Sequence, residues 1–165
     1  MTGDVPEAVL AMWLTRLSRL NVAALEDRAL ADGMTSSEVV VLASLWVTGP
    51  PHVQSPTRLG DVVIQSPGGL TKTLRRLETA GLVDRIPDPD DGRGLLVRLT
   101  PPGIDAAQRA LGRTMVHYEV LLSGLPPADR QDLARLVRAL LDQLEASTGH
   151  GSTAMLADPF AAGPG

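Results

Sequence analysis

The sequence predicts a mainly α-helical chain with a small β-unit set among its helices. Three observations carry that expectation. Apolar residues recur at helical spacing over long stretches toward both ends. Two cap-plus-proline starts, Ser55-Pro56 and Ser66-Pro67, put two short helices in close succession. The segment from Ser66 to Arg98 then reads helix, tight stop, strand, turn, strand.

The first helix runs from about Pro6 to Ala31. Leu10, Trp13, Leu14, Leu17, Leu20 and Ala24 keep its spacing, with Arg16 and Arg19 interleaved. At 1.5 Å per residue it is about 35 Å long. A small domain cannot cover such a helix alone, so part of its apolar face is expected to meet another chain. Asp32-Gly33 breaks it. Thr35 and Glu38 form a Thr-x-x-Glu capping box. The helix they open carries Val39, Leu42, Ala43 and Trp46 on one face, and Gly49-Pro50-Pro51 ends it. His52 and Val53 read as a short extended link.

The helix starting at Ser55 turns Leu59, Val62 and Val63 inward, and Ile64-Gln65 leaves room only for a turn. The helix opened by Ser66 has the apolar stripe Leu70, Leu74, Leu77, with Lys72, Thr73, Arg75 and Arg76 off it. Gly81 stops it as a C′ glycine does. Two short helices joined this tightly, the second with a polar outer face, are a helix-turn-helix. Leu82, Val83 and Ile86, then Leu95, Val97 and Leu99, form a two-stranded wing around the turn-rich stretch Pro87 to Gly94. Thr100 caps a long helix with Pro101 at its first position, running through Ile104, Leu111, Met115, Tyr118 and Leu122. After a corner at Gly124 to Pro127, the last helix carries Leu133, Leu136, Leu140 and Leu144, with Val137 and Leu141 beside them. That surface is wider than one seam and is expected to touch two partners. The fold class is therefore mainly α with a small β-wing, a winged helix-turn-helix flanked by long helices. Residues 1–34 and 101–147 read as a flanking helical region, 35–100 as the winged helix-turn-helix expected to bind DNA, and 148–165 as a flexible Gly/Ala-rich tail.

Composition narrows the function. The 165 residues contain no cysteine, which excludes a disulfide framework, thiolate zinc sites and a thiol redox sensor within this chain. No consecutive apolar run approaches the ~20 residues of a bilayer span, and no signal peptide is visible. A cytoplasmic protein without membrane contact is expected. The net charge of −4 argues against a nucleic-acid partner until its distribution is read. Arg58, Lys72, Arg75, Arg76, Arg85, Arg93 and Arg98 all fall between Ser55 and Arg98, and three of the six acids there cluster in the wing turn. Trp13, Trp46, Tyr118 and Phe160 are too few aromatics for a base-stacking RNA reader, and none lies in the wing strands. His52, His117 and His150 lie far apart without cysteine support, so no metal or other cofactor is expected. No HExxH, GxSxG, P-loop or GxGxxG appears in a catalytic context, and no catalytic residue is assigned.

The segments Leu59-Gly60-Asp61-Val62-Val63, Ser66 to Arg85, Asp88-Pro89-x-Asp91-x-Arg93 and Val97-x-Leu99-Thr100-x-x-Gly103 resemble the MarR family of bacterial transcriptional regulators. The likeness is close from about Thr35 to Gly103. It implies a homodimer, with 1–34 and 101–147 as its helical dimerisation region, on a palindromic operator, usually repressing, released by a small ligand bound between the two subdomains. It also implies that Arg93 enters the minor groove, where a narrow A·T-rich groove attracts arginine, with Asp91 holding it. The sequence departs from the family at Gly68 and Gly69, where many relatives carry base-reading side chains.

The candidate DNA-binding residues follow. Ser66, Gly68 and Gly69 present the unpaired amides of a helix N-terminus, which suit phosphate. Lys72 and Thr73, a turn further on, reach base edges or phosphate in the major groove. Arg76 is a phosphate clamp on the same face, Arg75 either a contact or a local partner, and Arg58 a backbone contact. Asp88 and Asp90 are turn-formers. In a dimer the two recognition helices would lie about 34 Å apart, one turn of DNA. The candidate ligand site is Trp13, Arg16, Trp46, His117 and Tyr118, where an arginine near aromatics suits a small aromatic or phenolic acid; equally, tryptophan at helical spacing is ordinarily core and Arg16 a solvated face. A winged-helix protein-interaction module without DNA binding is the alternative, and salt dependence separates the two.

Overall fold

The computed structural model describes residues 5–63, 67–91 and 94–148. Six helices and three strands follow in order: α1 (Glu7–Ala31), α2 (Ser36–Val47), β1 (Val53–Gln54), α3 (Pro56–Val63), α4 (Pro67–Thr79), β2 (Val83–Pro87), β3 (Leu95–Leu99), α5 (Pro101–Ser123) and α6 (Pro127–Thr148). The local signals form as written. Glu38 N–H donates to Thr35 Oγ1 at 3.3 Å and Thr35 N–H donates to Glu38 Oε2 at 2.7 Å, which closes the capping box of α2. Arg58 N–H donates to Ser55 Oγ at the start of α3. Gly81 sits at φ +68°, the left-handed conformation that ends α4 without steric penalty.

The link after α2 differs from expectation. It is a strand, β1, paired antiparallel with β3 (Val53 opposite Arg98), so the sheet has three strands in the order β1-β3-β2. Two residues are too short for an alternation to show in sequence. The β2–β3 hairpin pairs Val83 with Leu99 and Pro87 with Leu95. It turns Val83, Val97 and Leu99 into the core and leaves Leu95 about half exposed at the far end.

One core sits between the helix-turn-helix and the sheet. Val41, Leu42 and Leu45 of α2, Leu59 of α3, and Leu70, Leu74 and Leu77 of α4 meet the buried strand residues and Ala106 and Ala107 of α5. Truncating Leu42 or Leu77, both fully enclosed, removes about 2–5 kcal/mol by the usual cost of a core leucine.

The start of α5 is fastened to the end of α4. Thr100 Oγ1 donates to the Gly81 carbonyl at 2.6 Å and accepts from Gly103 N–H, while Thr100 N–H donates to the Leu82 carbonyl at 3.1 Å. Gly103 packs so tightly on that carbonyl that a Cβ there would lie 1.8 Å from the Leu82 oxygen. Only glycine fits.

α1 and α6 have a different character. α1 packs on α2 and α5, and buries Ala29, yet Leu10, Trp13, Leu14, Leu17 and Leu20 stay exposed. By length and mean hydropathy it is long and apolar enough to cross a membrane. A count of consecutive apolar residues misses this, because Arg16 and Arg19 interrupt the run without lowering the average enough. Every described side chain of α6 is exposed, its leucines included, and no other element packs broadly on it among the described residues. Of the tail expected from 148 onward, Thr148 ends α6 and the rest lies outside the described residues.

Two outcomes test this account. Gly103→Ala should destabilise the fold by about 3 kcal/mol or more, since the neighbour is backbone and cannot yield; urea unfolding at fixed protein concentration measures it. In the wing, the Arg98 guanidinium hydrogen-bonded to Asp84 (2.6 Å) holds the Asp84 carboxyl below its ordinary 3.8. The pair therefore supports the folded wing above that value and loses its contribution as pH falls through the lowered one. An NMR titration of Asp84 should move upward in Arg98→Ala.

Candidate nucleic-acid interface

The helix-turn-helix fixes which side of α4 is presented. Leu70, Leu74 and Leu77 anchor one face in the core. Gly68, Thr71, Lys72, Arg75, Arg76 and Thr79 lie on the exposed face. All six, with the turn at Gly33-Met34, line an open cleft of about 530 Å³. The side chains of Lys72 and Arg75 make no hydrogen bond or ion pair among the described residues, so their charge faces outward. Arg58 is exposed on α3.

Thr73 requires a correction. Its side chain is only 7% exposed and Oγ1 donates to the Gly69 carbonyl at 3.2 Å. It sits on the core side of α4, between Leu70 and Leu77, and cannot reach a base from there. Its neighbour Thr71 occupies the exposed position instead. Helical spacing alone did not separate the two, because a threonine beside an apolar stripe tolerates either face.

Arg76 is exposed yet held. Its Nε donates to Glu38 Oε1 at 2.7 Å, and Glu38 is buried. No sequence signal announces this pair, since its members lie on different helices. Arg85 and Arg98, also in the basic count, bond Glu78 and Asp84.

At the wing turn, Asp88 accepts from Asp90 N–H at 3.0 Å and its own N–H donates to the Gly94 carbonyl, so Asp88 does form the turn. Asp91 is exposed there, and its carbonyl accepts from Gly94 N–H at 2.8 Å. Ser66 and Arg93 lie outside the described residues.

The candidate ligand residues fall in three places. His117 and Tyr118 meet α1: Arg28 Nη2 approaches His117 Nδ1 at 2.6 Å, and Tyr118 O–H donates to Asn21 Oδ1 at 2.9 Å. Trp46 packs at the edge of the core. Trp13 and Arg16 line an open groove on α1 with Arg19 and Leu20. Asn21 and Arg28 were not legible as partners of α5, being far from it in sequence. Among the described residues, no cluster of His, Asp and Glu could hold a metal ion.

Comparison with known proteins agrees with this geometry. A profile described as the MarR family matches residues 34–95, the helix-turn-helix and most of the wing. The transcriptional repressor IacR of Pseudomonas putida is 30% identical over 101 residues, which cover 61% of this chain and 60% of IacR. The transcriptional regulator PecS of Dickeya dadantii is 28% identical over 142 residues, 86% of this chain and 83% of PecS. Among solved structures, BpsR of Bordetella bronchiseptica, whose DNA binding is regulated by 6-hydroxynicotinic acid, superposes with a TM-score of 0.70 at 23% identity, over 85% of this chain and 99% of BpsR. A helix-turn-helix with a three-stranded sheet, a profile matching that segment and curated regulators of the same type make this chain similar to the MarR family of transcriptional regulators over its helix-turn-helix and most of its wing.

Proposed function

We propose that this chain is a homodimeric repressor in the cytoplasm that binds a palindromic operator and releases it on binding a small aromatic or phenolic ligand. The observation that carries the reading is the outer face of α4, where Lys72, Arg75 and Arg76 stand exposed on a helix whose other face is locked in the core. On this reading the α4 N-terminus, with Ser66, Gly68 and Gly69, meets phosphate through backbone amides. Lys72 reaches into the major groove, and Arg93 enters the minor groove with Asp91 beside it. Arg58 adds a backbone contact from α3.

Residues 1–34 and 101–147 serve as the dimerisation region and 35–100 as the DNA-binding region. The support is the apolar surface that the single chain leaves open on α1, α5 and α6: Leu17, Leu20, Val120, Leu136 and Leu144 are each more than half exposed. Surface of that extent on three helices is covered by a partner in a soluble protein. The ligand would sit where α1 meets α5, with His117 and Tyr118 at its edge and Trp13, Arg16 and Trp46 nearby once the partner is in place. BpsR, with its hydroxylated pyridine acid, supports the ligand class.

Fluorescence anisotropy with the DNA upstream of the gene tests the core of this. Specific binding should fall steeply with salt; a flat salt response favours a protein-interaction module. Arg93→Ala should weaken operator binding about tenfold or more by loss of one groove contact while sedimentation still shows a dimer. Leu136→Glu combined with Leu140→Glu should yield monomers and abolish binding to the full palindrome; a persistent dimer would remove α6 from the interface.

A further inference from the structure

We propose that Glu38 is a positioning residue for DNA binding: a buried carboxylate that locks the Arg76 guanidinium so that its outer edge is presented to a backbone phosphate. The inference rests on the DNA-binding reading above and extends it to a residue outside the recognition helix.

The geometry is specific. Glu38 belongs to the first turn of α2, and its side chain is 5% exposed against 54% for Arg76. One oxygen, Oε2, accepts from Thr35 N–H at 2.7 Å and Thr35 O–H at 3.0 Å. The other, Oε1, accepts from Arg76 Nε at 2.7 Å. The capping box thus immobilises the carboxylate, and the carboxylate immobilises the arginine. Because Nε takes the bond, both Nη groups of the planar fork have no partner among the described residues and remain to donate, and the fork suits phosphate. Arg76 lies one turn beyond Lys72 on the exposed face of α4. An arginine already held in place loses less rotamer freedom when DNA arrives. The pairing also neutralises an acid that would otherwise repel phosphate next to the recognition helix. The other two ion pairs of this region, Arg85–Glu78 and Arg98–Asp84, have both members substantially exposed. Neither carboxylate is tied into a cap, so neither gives this constraint.

The test uses the full-length protein, a duplex from upstream of its gene and an unrelated duplex of equal length, titrated by anisotropy at several salt concentrations. Arg76→Ala should weaken binding to both duplexes and reduce the log–log salt slope by about one, as loss of a phosphate contact does. Glu38→Gln keeps the shape and can still cap. It should weaken both duplexes about fivefold, the cost of re-freeing one long side chain, with the salt slope unchanged. The double variant should bind no more weakly than Arg76→Ala alone. Thr35→Ala removes the hydroxyl but keeps the shorter backbone N–H bond that holds Oε2, so it should lower the melting temperature and leave affinity within about twofold. Glu38→Gln binding as tightly as wild type, or more tightly, overturns the assignment, as does an additive double variant or an unchanged slope in Arg76→Ala. Wild-type protein that binds neither duplex overturns the regulator reading itself.

Discussion

The carbonyl of Leu82 is the point on which the architecture depends. It lies just past the end of the recognition helix, accepts the amide of Thr100, and rests against the bare Cα of Gly103. The end of α4, the end of β3 and the start of α5 therefore share one joint. From that joint Leu99 and Val97 reach into the core on one side and Ala106 and Ala107 on the other. Everything α5 does further along, including the approach of His117 to Arg28, is referred back to a fixed origin beside the recognition helix. A side chain at position 103 would push the two units apart and separate the wing from the long helix.

Much of this was written locally. The Thr35–Glu38 box, the Ser55-Pro56 start, Gly81 and the Thr100-Pro101 start are signals within four residues, and each forms in the structure with the bond its motif specifies. What escaped sequence reading is non-local or too short. β1 has two residues and exists only because β3 offers an edge. The tie from Arg76 to Glu38 crosses between helices, as do Arg28 to His117 and Tyr118 to Asn21. Thr73 was misplaced because its hydroxyl is satisfied by the carbonyl one turn back, which makes a core-side position tolerable for a polar residue. The resemblance to a known family supplied the wing arginine and the ligand; spacing and charge alone would have stopped at a basic helix followed by a hairpin.

The acidic net charge also acquires a structural sense. Glu38, Glu78 and Asp84 are spent on arginines of the same region, and Asp88 on the wing turn. What remains on the outer face of α4 is positive: Lys72 and Arg75 outright, Arg76 through the open edge of its fork. A whole-chain sum counts paired and unpaired groups alike. The potential at the helix surface does not.

Gly68 has a consequence of a different kind. It lies in the first turn of α4, is exposed, and a Cβ built on it meets nothing within 4 Å among the described residues. Its backbone is helical, so no left-handed conformation demands glycine there. A glycine in a helix gives up as much as about 1 kcal/mol relative to alanine, and this position returns nothing for it in packing. The first turn of the recognition helix is thus a vacant seat. Single substitutions could furnish it with a base-reading side chain without disturbing the fold, so operator preference in this chain is free to drift, or to be redirected by design, one residue at a time.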